Sequence, residues 1–216
     1  MQTISVDDVT RCMSAHAPLY ARRRPIYQYV ALTDLRRLWD PSHRRMLDVG
    51  GGTGVLAQTI KTLFGLDHVA SVDVEDRFLP SIDIETAVYD GSTLPFPDRS
   101  FDCALFFNVL HHVPAASRAR LIFECRRVIG SGPIYIKDHI SLSTLDDVRL
   151  TLLDVLGNVP FGGMVSAWYL REKNWRDLAS TTAHDFDQCL SGRYRRGAFE
   201  IMFPNRLETC MRWRPI

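Results

Sequence analysis

The segment RRMLDVGGGTGVLA, residues 44–57, carries the pattern that decides the fold. An apolar run leads into three consecutive glycines, and an amphipathic stretch follows them. A short apolar run that ends in glycine is typical of a buried strand, and apolar residues spaced by three and four are typical of a helix. The segment therefore predicts a strand, a tight turn and a helix. In open parallel sheets, ligands bind at the carboxyl end of such a strand.

The rest of the chain alternates between short apolar runs and helical patterns. This alternation is typical of a parallel sheet with helices on both faces. The predicted strands are 46–49, 69–73, 86–90, 101–107, 133–139 and 207–213, and the helices between them include 53–64 and 118–129. The last strand alternates apolar and polar residues, and we expect it to form one half of a closing antiparallel hairpin.

Two further regions have helical patterns. Residues 5–39 are predicted to be helical with breaks near Pro18 and Pro25, and Ser5 is placed to cap the first helix. Residues 143–180 are predicted to be mainly helical around an interruption at 157–163.

Composition limits the function classes. The chain has 216 residues, 46% hydrophobic residues and a formal net charge of +1, which is typical of an ordinary globular domain. Nothing in this balance favours binding to nucleic acid, and no apolar run is long enough to span a membrane. Five cysteines without metal-ligand spacing predict reduced thiols and no metal site. The chain shows no signal-peptide pattern, so we expect a cytoplasmic location.

The glycine spacing excludes two common nucleotide sites. A P-loop requires a lysine after its last glycine, and none follows here. A dinucleotide fingerprint has the spacing G-x-G-x-x-G, whereas the glycines fall at Gly50, Gly52 and Gly54 and Val55 occupies the next position.

The stretch LDVGGGTG, residues 47–54, resembles motif I of the class I S-adenosylmethionine-dependent methyltransferases. The likeness continues through Asp73, through YDGSTLPFPDRSFDCALFFNVLHHV at 89–113 and through RRVIGSGPIYIKDH at 126–139. The chain is thus similar to the small-molecule, ubiquinone-biosynthesis-like type of this family over residues 20–140.

This resemblance implies a Rossmann-like, doubly wound, mostly parallel sheet of seven strands, with a C-terminal antiparallel hairpin and helices on both faces. It also implies methyl transfer from S-adenosylmethionine to the oxygen, nitrogen or carbon of a small molecule. We expect a single domain over 1–216, with a helical cap at 1–40 and a substrate lid at 141–180. Phe161, Trp168 and Tyr169 are candidates for lining an apolar substrate pocket or for packing in the core.

The resemblance also implies a set of cofactor contacts. From the methionine end to the adenine end, the implied residues are Asp48, Gly50, Gly52, Asn108, Asp73, Val74, Asp90 and Gly91. An acid suits the cofactor's ammonium or its ribose hydroxyls. For Asp48 a capping carboxylate is the alternative, and for Asp90 the alternative is a local turn with Gly91.

Other candidates lie outside the glycine turn. Tyr20 and Arg24, in the N-terminal helical region, are expected to contact the carboxylate end of the cofactor or to pack structurally. His139, beside a carboxylate at the end of a strand, is the preferred general base. His111 and His112 are the other two candidates.

Three other functions stay open at this point. The first is a cofactor-binding scaffold without catalysis, and the second is another reaction of the same cofactor. The third is a nicotinamide-dependent oxidoreductase, which the glycine spacing disfavours. The sequence NVLHHVP at 108–114 also lacks the N/D-P-P-Y/F motif of nucleic-acid amino methyltransferases.

Overall fold

The computed structural model describes residues 3–158, 166–190 and 207–216. Its strands are β1 (Arg45–Val49), β2 (His68–Asp73), β3 (Glu85–Val88), β4 (Cys103–Phe107), β5 (Ile134–His139), β6 (His184–Leu190) and β7 (Glu208–Pro215). Its helices are α1 (Val6–Ser14), α2 (Leu19–Arg22), α3 (Ile26–Leu38), α4 (Val55–Phe64), α5 (Ala115–Ile129), α6 (Thr144–Asn158) and α7 (Glu172–Thr181).

The strands form a seven-stranded sheet in the order β3-β2-β1-β4-β5-β7-β6. The pairs among β1 to β5 are parallel, whereas β7 is antiparallel to both β5 and β6. The predicted doubly wound sheet with a closing antiparallel hairpin is therefore confirmed. Strand β3 ends at Val88 rather than at residue 90, because the Asp90 side chain accepts hydrogen bonds from a turn there.

Two apolar clusters cover the two faces of the sheet. Along β1, Leu47 and Val49 belong to one cluster and Met46 belongs to the other, as the alternation of side chains along a strand requires. The second cluster also includes Val9 and Leu35 from the N-terminal helices. Burial on both faces explains why the central strands are almost continuously apolar.

The N-terminal helical region is divided as predicted. Ser5 caps α1 by accepting a hydrogen bond from the Asp8 amide at 3.1 Å, and the Asp8 carboxylate accepts one from the Ser5 amide in return. This capping box fixes where the first helix begins. Pro18 and Pro25 each directly precede a new helix, because proline is accepted at a helix start and not inside a helix.

The predicted interruption at 157–163 lies largely outside the described residues, as does Phe161. Helix α6 extends to Asn158, and the chain is described again from residue 166. Trp168 is half exposed, and its amide donates to the His111 carbonyl at 2.7 Å. Across the described ranges, no helix has the length and apolar character needed to cross a membrane. The cap, the lid and the cytoplasmic location stay predictions.

The closing hairpin depends on Trp213 of β7. Its side chain is fully buried and packs against Trp175 and Phe186, with ring centroids 6.3 and 6.1 Å away. We expect Trp213→Ala to lower the free energy of unfolding by about 3–5 kcal/mol, because it leaves a large cavity. Trp168→Ala, at a half-exposed tryptophan, should change it by about 0.5 kcal/mol. Urea unfolding of the two variants measures both values, and equal losses would contradict the assignment of Trp213 to the core.

Candidate functional site

The glycine turn after β1 is held against the neighbouring strand. The amides of Gly50 and Gly51 both donate to the Val72 carbonyl of β2, at 2.7 and 3.1 Å. A Cβ atom on Gly51 would lie 1.8 Å from the Ser71 hydroxyl oxygen, so no larger residue fits there without displacement. Gly50 has a positive φ of 81°, which glycine adopts without strain. The backbone itself therefore forms this part of the site.

Asp73, at the end of β2, links the strand to the turn. Its carboxylate accepts hydrogen bonds from the amide of Gly52 at 2.8 Å and from the amide of Glu75 at 3.2 Å. The Arg77 guanidinium lies 3.3 Å from the same carboxylate. Asp73 is only 3% exposed, yet it lines the main cavity. Asp73 is therefore placed and held so that its carboxylate can accept hydrogen bonds from the hydroxyl groups of a ligand.

Asp48 lies behind the turn rather than on the wall of the cavity. Its carboxylate accepts a hydrogen bond from the Ser71 hydroxyl at 2.7 Å, and it is buried under Gly51. Burial raises the pKa of Asp48 to about 7, and the nearby Asp73 carboxylate acts in the same direction. Within the described residues Asp48 thus neither lines the cavity nor caps a helix, and its carboxylate pairs with Ser71 behind the glycine turn.

A cavity of about 550 Å³ opens at the carboxyl ends of the parallel strands. This size falls within the range of small-molecule sites. Of the ten residues predicted to contact a cofactor, those that line this cavity are Tyr20, Gly50, Gly52, Asp73, Val74, Asp90, Gly91 and Asn108. The fold therefore brings most of the predicted set together from separate parts of the chain.

Asp90 lines the cavity and also organises a turn. Its carboxylate accepts hydrogen bonds from the amides of Thr93 and Ser92, both at 2.8 Å, and these hold its pKa below the usual value. The turn proposed as the alternative role is therefore present. Gly91 follows with a positive φ of 76°.

Arg24 does not reach the cavity. Its guanidinium forms an ion pair with Asp7 of α1, and the pair is exposed to solvent. Tyr20, one turn earlier, does line the cavity, and burial raises the pKa of its hydroxyl. The N-terminal helices thus contribute an aromatic side chain to the site, whereas the predicted basic one points elsewhere.

Tyr27 is a site residue that the sequence analysis missed. Its hydroxyl accepts hydrogen bonds from the Asn108 amide at 2.7 Å and from the Lys137 ammonium at 2.8 Å. Lys137 is buried and forms a close ion pair with Glu208. Burial alone would lower the pKa of Lys137, but Glu208 and Tyr27 beside it hold the pKa above its usual value. The sequence around Tyr27 shows only an aromatic residue in a helix. It gives no sign that the hydroxyl contacts Asn108 and Lys137, which lie 81 and 110 residues further along the chain.

The three candidate histidines occupy different environments. His112 lines the cavity, and its Nδ1 donates to the Ser166 carbonyl at 2.7 Å. Burial lowers the pKa of His112. His111 and His139 are fully buried and do not belong to the described lining of the cavity.

His139 was the preferred base because it ends a strand beside Asp138. In the structure its Nδ1 lies 3.0 Å from Glu208 and its Nε2 lies 3.4 Å from Asp154. Burial opposes protonation, but these carboxylates raise the pKa of His139 to about 10. A buried imidazolium has no lone pair with which to accept a proton, and of the three histidines His112 is the one that lines the cavity.

Comparison with known proteins agrees with this geometry. Residues 47–136 match the family described as a methyltransferase domain. A ubiquinone biosynthesis O-methyltransferase from Paraburkholderia phymatum is 27% identical over 154 residues, which are 63% of this chain and 61% of the relative. The ubiquinone/menaquinone biosynthesis C-methyltransferase UbiE of Pseudomonas putida is 35% identical over 95 residues, or 37% of each chain. The chain thus spans less than two thirds of the length of these relatives.

Solved structures share the fold at lower identity. The PH0226 protein from Pyrococcus horikoshii superposes with a TM-score of 0.63 and 16% identity, over 90% of this chain and 92% of its own. Human N-acetylserotonin methyltransferase, solved in complex with SAM, gives a TM-score of 0.60 and 17% identity, over 98% of this chain and 56% of its own. At 16–17% identity these likenesses show the fold that the chain shares with those proteins, and they agree with its sheet order.

Asp48 should make stability depend on pH. The folded protein holds the Asp48 proton up to a pKa of about 7, whereas an unfolded aspartate releases it near 3.8. The contribution of Asp48 to stability therefore falls as pH rises between these values. Relative to the wild type, the free energy of unfolding of Asp48→Asn should rise by roughly 1 kcal/mol per pH unit between about pH 4 and 7. Above that range the difference between the two proteins should be constant.

Urea unfolding at pH 5, 6, 7 and 8 measures this difference. Asp67→Asn, at an exposed aspartate just before β2, is the matched control and should show no such slope. A difference between Asp48→Asn and the wild type that does not change with pH would show that Asp48 is ionised in the folded protein.

Proposed function

We propose that this protein transfers a methyl group from S-adenosylmethionine to a small-molecule acceptor. The observation that carries the proposal is the pairing of the Gly50–Gly52 backbone with the Asp73 carboxylate at one cavity. Methyl transfer needs a site for the cofactor and space for an acceptor beside it. Both requirements suit a cavity at the carboxyl ends of parallel strands.

The residues present fit the chemical groups of this cofactor. S-adenosylmethionine has no phosphate, and the glycine turn has no lysine after it. Asp73 is placed to accept hydrogen bonds from ribose hydroxyls, and Val74 and Gly91 offer an apolar side chain and open backbone for an adenine. Tyr20 and Asn108 also line the cavity, and the methionine portion of the cofactor is proposed to lie beside them.

The reaction places modest demands on the protein. The bound cofactor supplies a methyl group that its sulfonium has already activated. The protein then has to align the acceptor with that methyl group and exclude water. Tyr27 and Asn108 hold one wall of the cavity through their mutual hydrogen bonds. His112 on another wall is the one of the three candidate histidines that faces the space for an acceptor.

A small molecule is the proposed acceptor. A formal net charge of +1 does not favour binding to the phosphate backbone of nucleic acid. The names of the curated relatives cover an O-methyltransferase and a C-methyltransferase, so oxygen and carbon acceptors both belong in a substrate screen. The second candidate function is a scaffold that binds the cofactor without catalysis, and it predicts the same affinity for the cofactor with no turnover.

Calorimetric titration tests the proposal. S-adenosylmethionine and S-adenosylhomocysteine should each bind with saturation, whereas NAD and NADP should not. A folded protein that binds neither of the first two compounds contradicts the proposal. Mass spectrometry of a panel of acceptors then separates the enzyme, which gives products heavier by one methylene, from the scaffold, which gives none.

Asp73 provides the sharpest variant for this titration. Asp73→Ala removes a charged acceptor of ligand hydrogen bonds and also releases the Gly52 amide. We expect affinity for S-adenosylmethionine to fall by at least about 10-fold, because hydrogen bonds to a charged group contribute about 1.5–3 kcal/mol each. Asp67→Ala is the control, since Asp67 precedes the same strand at its other end and is exposed. Equal affinities in the two variants would refute the role of Asp73.

A further inference from the structure

A cluster of histidines and carboxylates lies behind the wall of the cavity that carries His112. Ring nitrogens of His111 and His112 and a carboxylate oxygen of Asp154 all lie within 4.8 Å of one another. These residues come from the segment after β4 and from α6. Two imidazoles and one carboxylate are a common donor set for divalent transition metals.

Asp154 has an unusual environment for a buried carboxylate. It is 6% exposed, and its ion-pair partners within the described residues are histidines alone. The Tyr169 hydroxyl also donates to it, at 2.5 Å. A buried carboxylate needs positive partners: the protonated His139 lies 3.4 Å from its Oδ1, and a metal ion would supply a second partner at Oδ2, which faces His111.

His111 is oriented as a metal ligand would be. Its Nδ1 is held by a short hydrogen bond to Asp138, and Asp138 is itself fixed by the amides of Leu110 and His139 at 2.9 and 2.7 Å. A carboxylate on one ring nitrogen directs the lone pair to the other nitrogen, as is usual behind metal-bound histidines.

The other nitrogen of His111 lacks a hydrogen-bond partner. His111 Nε2 is completely buried, and no acceptor among the described residues is aligned with it. The nearest carboxylate oxygen, Oδ2 of Asp154, lies 3.2 Å away but out of line. This separation is close to the distance of about 3.4 Å between two ligand atoms around a tetrahedral Zn²⁺ ion.

His112 completes the set on the cavity side. Its Nδ1 carries a proton, because it donates to the Ser166 carbonyl, so the lone pair of the neutral ring lies on Nε2. The rings of His111 and His112 lie with their centroids 4.0 Å apart. Since the His112 ring lines an open cavity, a rotation of its side chain can shorten its distance to the other two ligands.

We propose that His111, His112 and Asp154 bind one divalent transition-metal ion, of the Zn²⁺ class, at the wall of the cavity. Three protein ligands leave a coordination position open, as in catalytic zinc sites. That position lies beside the cavity that His112 lines, and it suits an oxygen donor from a bound small molecule. Binding of the ion does not depend on the proposed methyl transfer, whereas an acceptor as the oxygen donor does.

The test uses the full chain without a histidine tag and without S-adenosylmethionine. The protein is dialysed against Zn²⁺, separated from free metal by gel filtration and analysed for metal by mass spectrometry. We expect about one equivalent in the wild type, and a rise in melting temperature on adding Zn²⁺. Co²⁺ in place of Zn²⁺ should give the visible absorption of a tetrahedral site.

Three variants make the result specific. His112→Ala changes a side chain on the cavity wall and should keep the fold, and it should weaken Zn²⁺ binding by at least about 10-fold. Asp154→Asn should do the same. His68→Ala is the control, because His68 is a half-exposed histidine that pairs with Glu85 away from the cluster. It should bind Zn²⁺ as the wild type does.

Each outcome decides the proposal. Less than about one tenth of an equivalent of metal in the folded wild type would overturn it, and would leave protonated histidines as the partners of Asp154. Equal Zn²⁺ affinity in His112→Ala and His68→Ala would also overturn it. A protein that binds Zn²⁺ but not S-adenosylmethionine supports the metal site and refutes the proposed function, and the reverse result refutes the metal site alone.

Discussion

The site depends on the hydrogen bonds that join the ends of β1 and β2. Gly50 and Gly51 donate to one carbonyl, that of Val72, and Gly52 donates to the side chain of the next residue, Asp73. Three consecutive amides are thereby fixed by two consecutive residues of the neighbouring strand. A larger side chain at Gly51 would collide with the side chains of Ser71 and Asp48, so this close approach requires glycine. The floor of the cavity is consequently rigid before any ligand arrives.

The wall of the cavity that carries Tyr27 and Asn108 is built in another way. There the contacts are between side chains that are far apart in the sequence, such as Tyr27 with Asn108 and Lys137 with Glu208. The antiparallel register of β5 and β7 places Glu208 directly opposite His139, within reach of both His139 and Lys137. The glycine turn is therefore held by the backbone of two neighbouring strands, whereas the wall that carries Tyr27 and Asn108 is held by side chains that only the tertiary fold brings together.

This difference explains what the sequence predicts and what it does not. The strand-turn-helix pattern and Asp73 are local, and the structure places them as expected. Tyr27 gave no local signal, since its partner Asn108 lies 81 residues away. The charge of Arg24 predicts a contact with the carboxylate end of the cofactor, but its guanidinium pairs with Asp7 of α1. The sequence around Arg24 does not determine which carboxylate a flexible arginine pairs with.

The buried ionisable groups present a physical cost that the fold must offset. Asp138, Asp154, His111 and His139 are all removed from water, and replacing such groups with apolar residues of similar volume is often neutral or stabilising. An apolar core at this place would therefore serve the fold equally well. Groups that break the rules of a well-packed core are expected where a protein performs chemistry. These groups are concentrated behind His112, which makes that wall the side of the cavity where chemistry is expected, whereas the buried carboxylate behind the glycine turn is that of Asp48.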